Sequence, residues 1–499
     1  MQPVYQAALR SWSIPPVATF VIVLSALVYL RGFWLLRRAG VPFLPTWRAV
    51  AFLLGLFSLW FALASPMDVL NAFVLTAHML QHMLLMMMAP PLILLGAPLI
   101  PMVRGLPIFA AREFAGPFLN WSVAERIGRT LTNPIVASLL MGVAMFAWHT
   151  PGLYELALRS SSWHQAEHAC FFLASLIFWW PVVQPWPSRG QWPRWAMVPY
   201  LLVADLQNTA LSAILTFSDR VLYPSYSATP RLFGFSALED QVAAGAIMWV
   251  VGSLAFVVPA IVIAVECLSS RSSRDEISSF PKHEGSVAHE VLAASPRIPL
   301  GRRLLPARST SKRFEAISFA VLFVAAISCL AWLFSSASPD SDDQALRFSQ
   351  QTGPFAVAVF SSPGGLSAGP ADFAILVQDR NTHEVLLDAI IELTARTEDT
   401  RGTSSTVRAT HQYSQNKLLQ SAELNLPTVG NWSLDISVRH GSLRADWSLP
   451  LNVINHDAGT EDRWPYLVIL VFFAILLFAY TWRHRALAKC RMEHPVTSE

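Results

Sequence analysis

The sequence predicts an all-α polytopic membrane bundle of seven transmembrane helices, joined to a small extracytoplasmic β-sandwich that two further helices anchor. Three observations carry this. Apolar runs of roughly 20 residues, the length that crosses a bilayer core, recur along the chain. Arginines cluster in alternate loops between those runs. Between residues 337 and 463 the hydrophobic period changes to two. Hydrophobic residues make up 53% of the 499 and charged residues 14%, which excludes a soluble globular protein. The formal net charge is only +3 and the basic residues sit beside apolar runs, so they speak of a lipid bilayer and carry no nucleic-acid signature.

The expected spans are 16–36, 49–67, 71–100, 135–155, 164–184, 196–217 and 241–266, followed by 317–336 and 464–482. Pro15 to Leu36 has no small-residue cleavage signature after it and reads as a retained helix. The third span contains Pro90 and Pro91, which remove two backbone donors and predict a kink, tolerable where neighbouring helices satisfy the freed carbonyls. Arg37, Arg38 and Arg48 follow span one, Arg104, Arg112, Arg126 and Arg129 follow span three, and Arg189 and Arg194 follow span five. These loops are expected in the cytoplasm and the alternate ones outside. Residues 1–267 thus form the bundle, 268–316 a cytoplasmic disordered linker, 317–336 a helix, 337–463 the outer sandwich, 464–482 a helix and 483–499 a cytoplasmic tail. The N-terminus lies outside.

In the outer region apolar residues alternate over Ala356–Phe360, Phe373–Val377, Ala389–Leu393, Leu424–Leu426, Trp432–Val438 and Trp447–Val453, with Gly, Pro, Asn and Asp between. About six or seven short strands in about 100 residues suggest a small sandwich. It holds no Met and no Cys.

Five of the thirteen histidines lie in or beside the bundle helices: His78 and His82 entering span three, His149 ending span four, and His164 and His168 opening span five. The topology brings all five to the outer membrane level. Polar side chains at that depth are costly and normally face the bundle interior. At roughly 100° per residue, Met79, His82, Met83 and Met86 form one stripe with His78 at its margin. Thioether with imidazole is a soft ligand set suited to Cu(I). Against this stand ordinary methionine packing, for Met86 to Met88 above all, and histidines merely hydrogen-bonded across helices. His164-Gln-Ala-Glu167-His168 also fits the H-x-x-E-H pattern of zinc peptidases, but at the mouth of a membrane helix it reads better as a metal or prosthetic-group site. Asp240 and Met248 on span seven are expected at the margin of the cluster, with a helix cap as the plain role for Asp240. Asp205 lies inside span six. The four cysteines include no C-x-x-C pair, so neither a disulfide scaffold nor a thiolate clip is indicated.

The stretch Ala77 to Pro98, AHMLQHMLLMMMAPPLILLGAP, resembles the signature of the CtaG-like cytochrome c oxidase assembly factor family. WHTPGLY from Trp148, WHQAEH from Trp163, FWWPV from Phe178 and EDQVAAGAIMW from Glu239 resemble its other blocks in order, over about residues 10 to 270. The resemblance implies a polytopic, non-enzymatic factor of the bacterial inner membrane that matures a haem-copper oxidase by delivering copper. Oxidase subunits and periplasmic copper chaperones are the implied partners. Gly369 to Asp379, Asp388-Ala389 and Asn416 to Leu434 look similar to YtkA-like and FixH-like sandwiches, for which a docking role is expected. Two alternatives remain: a haem-binding electron-transfer protein, since paired histidines ligate haem, and a copper permease, which needs soft ligands through to the cytoplasmic end.

Overall fold

A computed structural model describes residues 2–39, 44–107, 122–185, 188, 190–279, 345–362, 366–397, 404–412, 414 and 416–454. The two expected anchor helices, most of the expected linker and the tail lie outside the described residues.

A short helix α1, Gln2–Arg10, precedes α2, Pro16–Arg38, which opens on a proline whose missing N–H is not needed there and closes on Arg37 and Arg38. Next come α3, Thr46–Ala64, and α4, Pro66–Leu70, capped by Ser65. The third span divides into α5, Leu75–Met83, a π-helical turn at Leu84–Met88, and α6, Ala89–Leu95. The π turn absorbs Pro90 and Pro91 where a kink was expected. In a regular helix these prolines would deprive the carbonyls of Met86 and Met87 of donors. The Met86 carbonyl accepts instead from the Ser175 hydroxyl and, at 3.1 Å, from the Trp179 indole N–H.

Then follow α7, Leu99–Gly105, α8, Ser122–Leu131, α9, Pro134–Trp148, and α10, Pro151–Arg159. The expected fourth span is broken, because α9 and α10 meet at 71°. Pro151 is the cause: it holds Thr150 in an extended conformation and has no N–H with which to continue α9. The break leaves His149 at the corner. The bundle ends with α11, Ser161–Val183, α12, Met197–Phe217, the short α13, Pro224–Ala228, and α14, Ala237–Ser279. Six helices among the described residues are long and apolar enough to cross a membrane, or seven if the bent pair counts as one span. Helix α14 continues past residue 267, so the first part of the expected linker is helical.

The C-terminal region holds eight strands: β1, Ala345–Thr352; β2, Phe355–Ser362; β3, Gly369–Asp379; β4, Ile390–Thr397; β5, Ser404–Arg408; β6, Gln420–Leu426; β7, Gly430–His440; and β8, Leu443–Val453. They form two antiparallel sheets ordered β1-β2-β3-β6 and β5-β4-β7-β8. In the β7–β8 hairpin His440 pairs with Leu443 across a two-residue loop, and Gly441 takes the left-handed conformation such a loop requires. Val357, Phe373, Leu393, Leu424, Trp432, Ile436 and Trp447 fill the space between the sheets.

Strands β2 and β3 are buried on both faces. Their outward residues Ala358, Phe360, Ala374 and Leu376 pack on Val4 and Ala8 of α1 and on Phe73 and Leu232 of the bundle loops. Phe73 meets Phe360 edge-on at 5.4 Å, the Gln378 amide donates to the Arg231 carbonyl at 2.7 Å, and the Lys417 N–H donates to the Ser11 hydroxyl at 2.8 Å. The sandwich therefore docks on its own bundle, at the end where α5 begins.

Candidate metal centre

Helix α5 starts at Leu75 because a side chain from α14 caps it. Asp240 accepts from the Leu75 N–H at 2.7 Å, the Thr76 N–H at 3.1 Å and the Thr76 hydroxyl at 2.6 Å. A carboxylate at a helix N-terminus satisfies donors the helix itself leaves open. Asp240, expected beside the cluster, thus has its oxygens engaged in capping a different helix, and it belongs to neither ligand group described below.

One turn into α5, His78 and His82 project from the same face, as their four-residue spacing dictates. Their Nε2 atoms lie 2.9 Å apart. His164 and His168 repeat this spacing on α11, and the helices lie so that the pairs are level: ring centroids are 5.1 Å apart for His78 and His164, and 5.4 Å for His82 and His168. His149, at the α9–α10 corner, brings its ring to 6.3 Å from that of His82. Its Nδ1 faces the Met145 carbonyl at 2.7 Å, which turns Nε2 the other way. All five expected histidines therefore converge.

The structure adds residues the sequence reading did not place. Glu167, fully buried, sets its carboxylate oxygens 3.6 Å from His78 Nε2 and 3.8 Å from His82 Nε2. On the other side of His78, Nδ1 faces the hydroxyls of Tyr154 at 3.0 Å and Tyr226 at 3.2 Å. Tyr226 itself donates to the Asn71 carbonyl at 2.7 Å. Glu167 was visible only as the middle of H-x-x-E-H. The tyrosines come from α10 and α13, and no sequence signal linked them to His78.

Donor atoms fall into two overlapping groups, His78 with His82 and His168, and His78 with His164 and Glu167. Within each group the atoms lie within 4.8 Å of one another. His82 Nδ1, the Nε2 atoms of His149, His164 and His168, and both oxygens of Glu167 are buried without a hydrogen-bond partner. Such atoms are rare in folded proteins. Met79, Met83, Met86 and Met248 are buried in the apolar core shared by α5, α9, α11, α12 and α14. Met88 is turned outward, 49% exposed. On α12, the Asn208 amide donates to the Met248 carbonyl at 3.1 Å, while Asp205 Oδ1 is buried without a partner.

The sequence profile of the cytochrome c oxidase caa3 assembly factor family matches residues 27–270, the segment holding all five clustered histidines and Glu167. Residues 27–270 belong to the cytochrome c oxidase caa3 assembly factor family. The chain is also similar to an uncharacterized protein of Mycobacterium bovis and one of Mycobacterium tuberculosis, each 25% identical over 293 residues, covering 57% of this chain and 43% of the relative. An uncharacterized protein of Mycobacterium leprae is 25% identical over 268 residues, 53% of this chain and 40% of its own. The matched region spans less than half the length of each of these relatives. No solved structure matches. The assembly-factor region ends near the close of α14, so the sandwich is an addition to the family domain that packs back onto it.

Proposed function

We propose that this chain is a membrane assembly factor for a haem-copper cytochrome c oxidase, and that it binds copper in the histidine cluster and delivers it to the oxidase. One observation carries the reading: five imidazoles and a carboxylate converge from three membrane helices, and one nitrogen on each of four of those imidazoles and both carboxylate oxygens are buried without a hydrogen-bond partner. Each unpaired buried polar group costs about 1–3 kcal/mol, and a single cation satisfies several at once. The donor chemistry fits. Imidazole suits copper, zinc, iron and nickel, and the methionines in the surrounding core tilt the set toward Cu(I). A zinc-peptidase role has less support, because Glu167 is fully buried and faces the histidines. A haem role also has less, since the imidazoles of α5 and α11 face each other edge-on with centroids 5.1 and 5.4 Å apart, which leaves no slot for a macrocycle between them.

Copper in this reading is cargo, and the protein's part is to hold it without catalysing a reaction. The arginine-rich loops support a sandwich end at the outer face, where periplasmic chaperones supply the metal and oxidase subunits receive it. Reporter fusions at Ser405 should therefore be active outside the cytoplasm. Purified full-length protein should carry copper by elemental analysis. His82→Leu should lose it and abolish oxidase maturation while the protein still accumulates in the membrane. A protein devoid of copper, or normal oxidase maturation by His82→Leu, refutes the reading.

A further inference from the structure

The cluster offers six donor side chains, yet they do not surround one point. Five of them sort into two triads that share only His78. Each of the pairs His78–His82 and His164–His168 spans four residues, or about 6 Å along a helix axis. His164 therefore lies toward the sandwich end, His82 with His168 a turn deeper, and Glu167, next to His168 on α11, between them in height. His149 stands beside the deeper triad with its Nε2 unpartnered.

His78 decides how these positions are used. Its Nδ1 is turned to the tyrosine hydroxyls, and Tyr226, whose own proton goes to the Asn71 carbonyl, presents an oxygen that accepts an Nδ1–H. A neutral imidazole with its proton on Nδ1 has one lone pair, on Nε2, and one lone pair binds one metal ion. Nε2 is the atom that faces His82 and Glu167. Both triads cannot be complete at the same time.

We propose that the cluster holds one copper ion at a time in two alternating positions, less than about 4 Å apart because each lies about 2 Å from the same His78 Nε2, with His78 as the common ligand that hands it from one to the other. This rests on the copper-handling reading above. In the shallower position the ion is held by His78, His164 and Glu167. In the deeper position it is held by His78, His82 and His168. Transfer is associative ligand exchange: bonds to His82 and His168 form as those to Glu167 and His164 break. No electron moves, and the ion never leaves His78. The first position includes a carboxylate, whose negative charge draws a cation out of water. The second is all imidazole and suits the softer Cu(I).

The test loads full-length protein in detergent with Cu(I) under reducing conditions. Elemental analysis counts copper per chain, and X-ray absorption counts imidazoles by their outer-shell scattering. Wild type should bind one ion. His164→Gln with Glu167→Gln should keep one ion on three imidazoles, His168→Gln should keep one on two imidazoles, and each should bind about 10–100-fold more weakly, as lost ligand support does elsewhere. His78→Gln should lose nearly all copper. Two ions per wild-type chain overturn the relay without any variant having to fold. Complete loss of copper in both His168→Gln and the His164→Gln, Glu167→Gln double variant also overturns it, in favour of a single six-sided site. Absence of copper from wild type overturns the underlying reading and the relay together.

Discussion

Tyr226→Phe removes one oxygen from the site and leaves its packing intact. The Tyr226 ring is 1% exposed, and its hydroxyl makes three contacts: a donated bond to the Asn71 carbonyl at 2.7 Å, and approaches of 3.2 Å to both the Tyr154 hydroxyl and His78 Nδ1. A donated bond of this kind contributes about 0.5–1.5 kcal/mol, and a buried carbonyl left unpaired costs about 1–3 kcal/mol, so a loss of about 1–3 kcal/mol in stability is expected. The effect on metal is separate. A residue that fixes the ring of a ligating histidine is worth about 10–100-fold in metal affinity, or about 1.4–2.8 kcal/mol. Thermal unfolding of the purified protein reads the first quantity, and competition with a Cu(I) chelator reads the second. A lower unfolding midpoint with copper affinity unchanged within about twofold, far below the loss expected of an orienting group, refutes the idea that the tyrosine orients His78.

Asp240→Ala strips the cap from α5 and should cost about 1–2 kcal/mol in stability while copper content stays at the wild-type value; copper lost without destabilisation makes Asp240 a ligand after all. Phe360→Ala at the sandwich–bundle contact should cost about 3–5 kcal/mol of local packing. Ser11→Cys with Lys417→Cys should crosslink readily in an otherwise native chain and poorly once Phe360→Ala is added, and equal yields mean that the contact does not hold the sandwich. Asp372 pairs across strands with Glu423, and burial, then the Glu423 charge, raise its carboxyl above the ordinary value. The folded state thus holds that proton more tightly than the unfolded one, and stability falls as pH rises from the ordinary carboxylate range through the raised value. Asp372→Asn should stabilise the protein by about 0.2–1 kcal/mol at pH 7 and change little well below the carboxylate range; a deficit at pH 7 in thermal unfolding contradicts this. Met88→Leu, on the exposed side of the stripe, should leave copper binding unaltered by the same chelator competition.

The spans were legible because crossing a bilayer is a matter of length and hydropathy along the chain, and both are local properties. The break between α9 and α10 was harder to see, since His149-Thr150-Pro151-Gly152 marks it inside a run whose total length suits a single span. Strands β2, β3, β4, β6, β7 and β8 announced themselves by alternation. Strand β1 reads ALRFSQQT and lacks a clean period, while β5 is five residues long and turns only the half-buried Val407 toward the core, so neither carries a signal of period two. Phe360 and Leu376 looked like ordinary strand residues, and nothing in their spacing told that the outward face of β2 and β3 would lie against the bundle.

Residue type and depth alone placed His78, His82, His149, His164 and His168 at one membrane level, because a helix of known direction fixes the height of every residue on it. Height is not contact. Which atoms meet depends on how the helices rotate and cross, and that is set by the packing of the whole bundle. Only the tertiary structure turns Glu167 toward His78 and His82, and only it brings Tyr154 and Tyr226 to the far side of the His78 ring. Likewise it commits Asp240 to capping a helix 165 residues away in sequence. The sequence by itself determined that a set of histidine side chains would gather at one end of a membrane bundle, since period and length act locally. Its division into two triads around one shared imidazole was decided by side-chain directions that only packing between distant helices can impose.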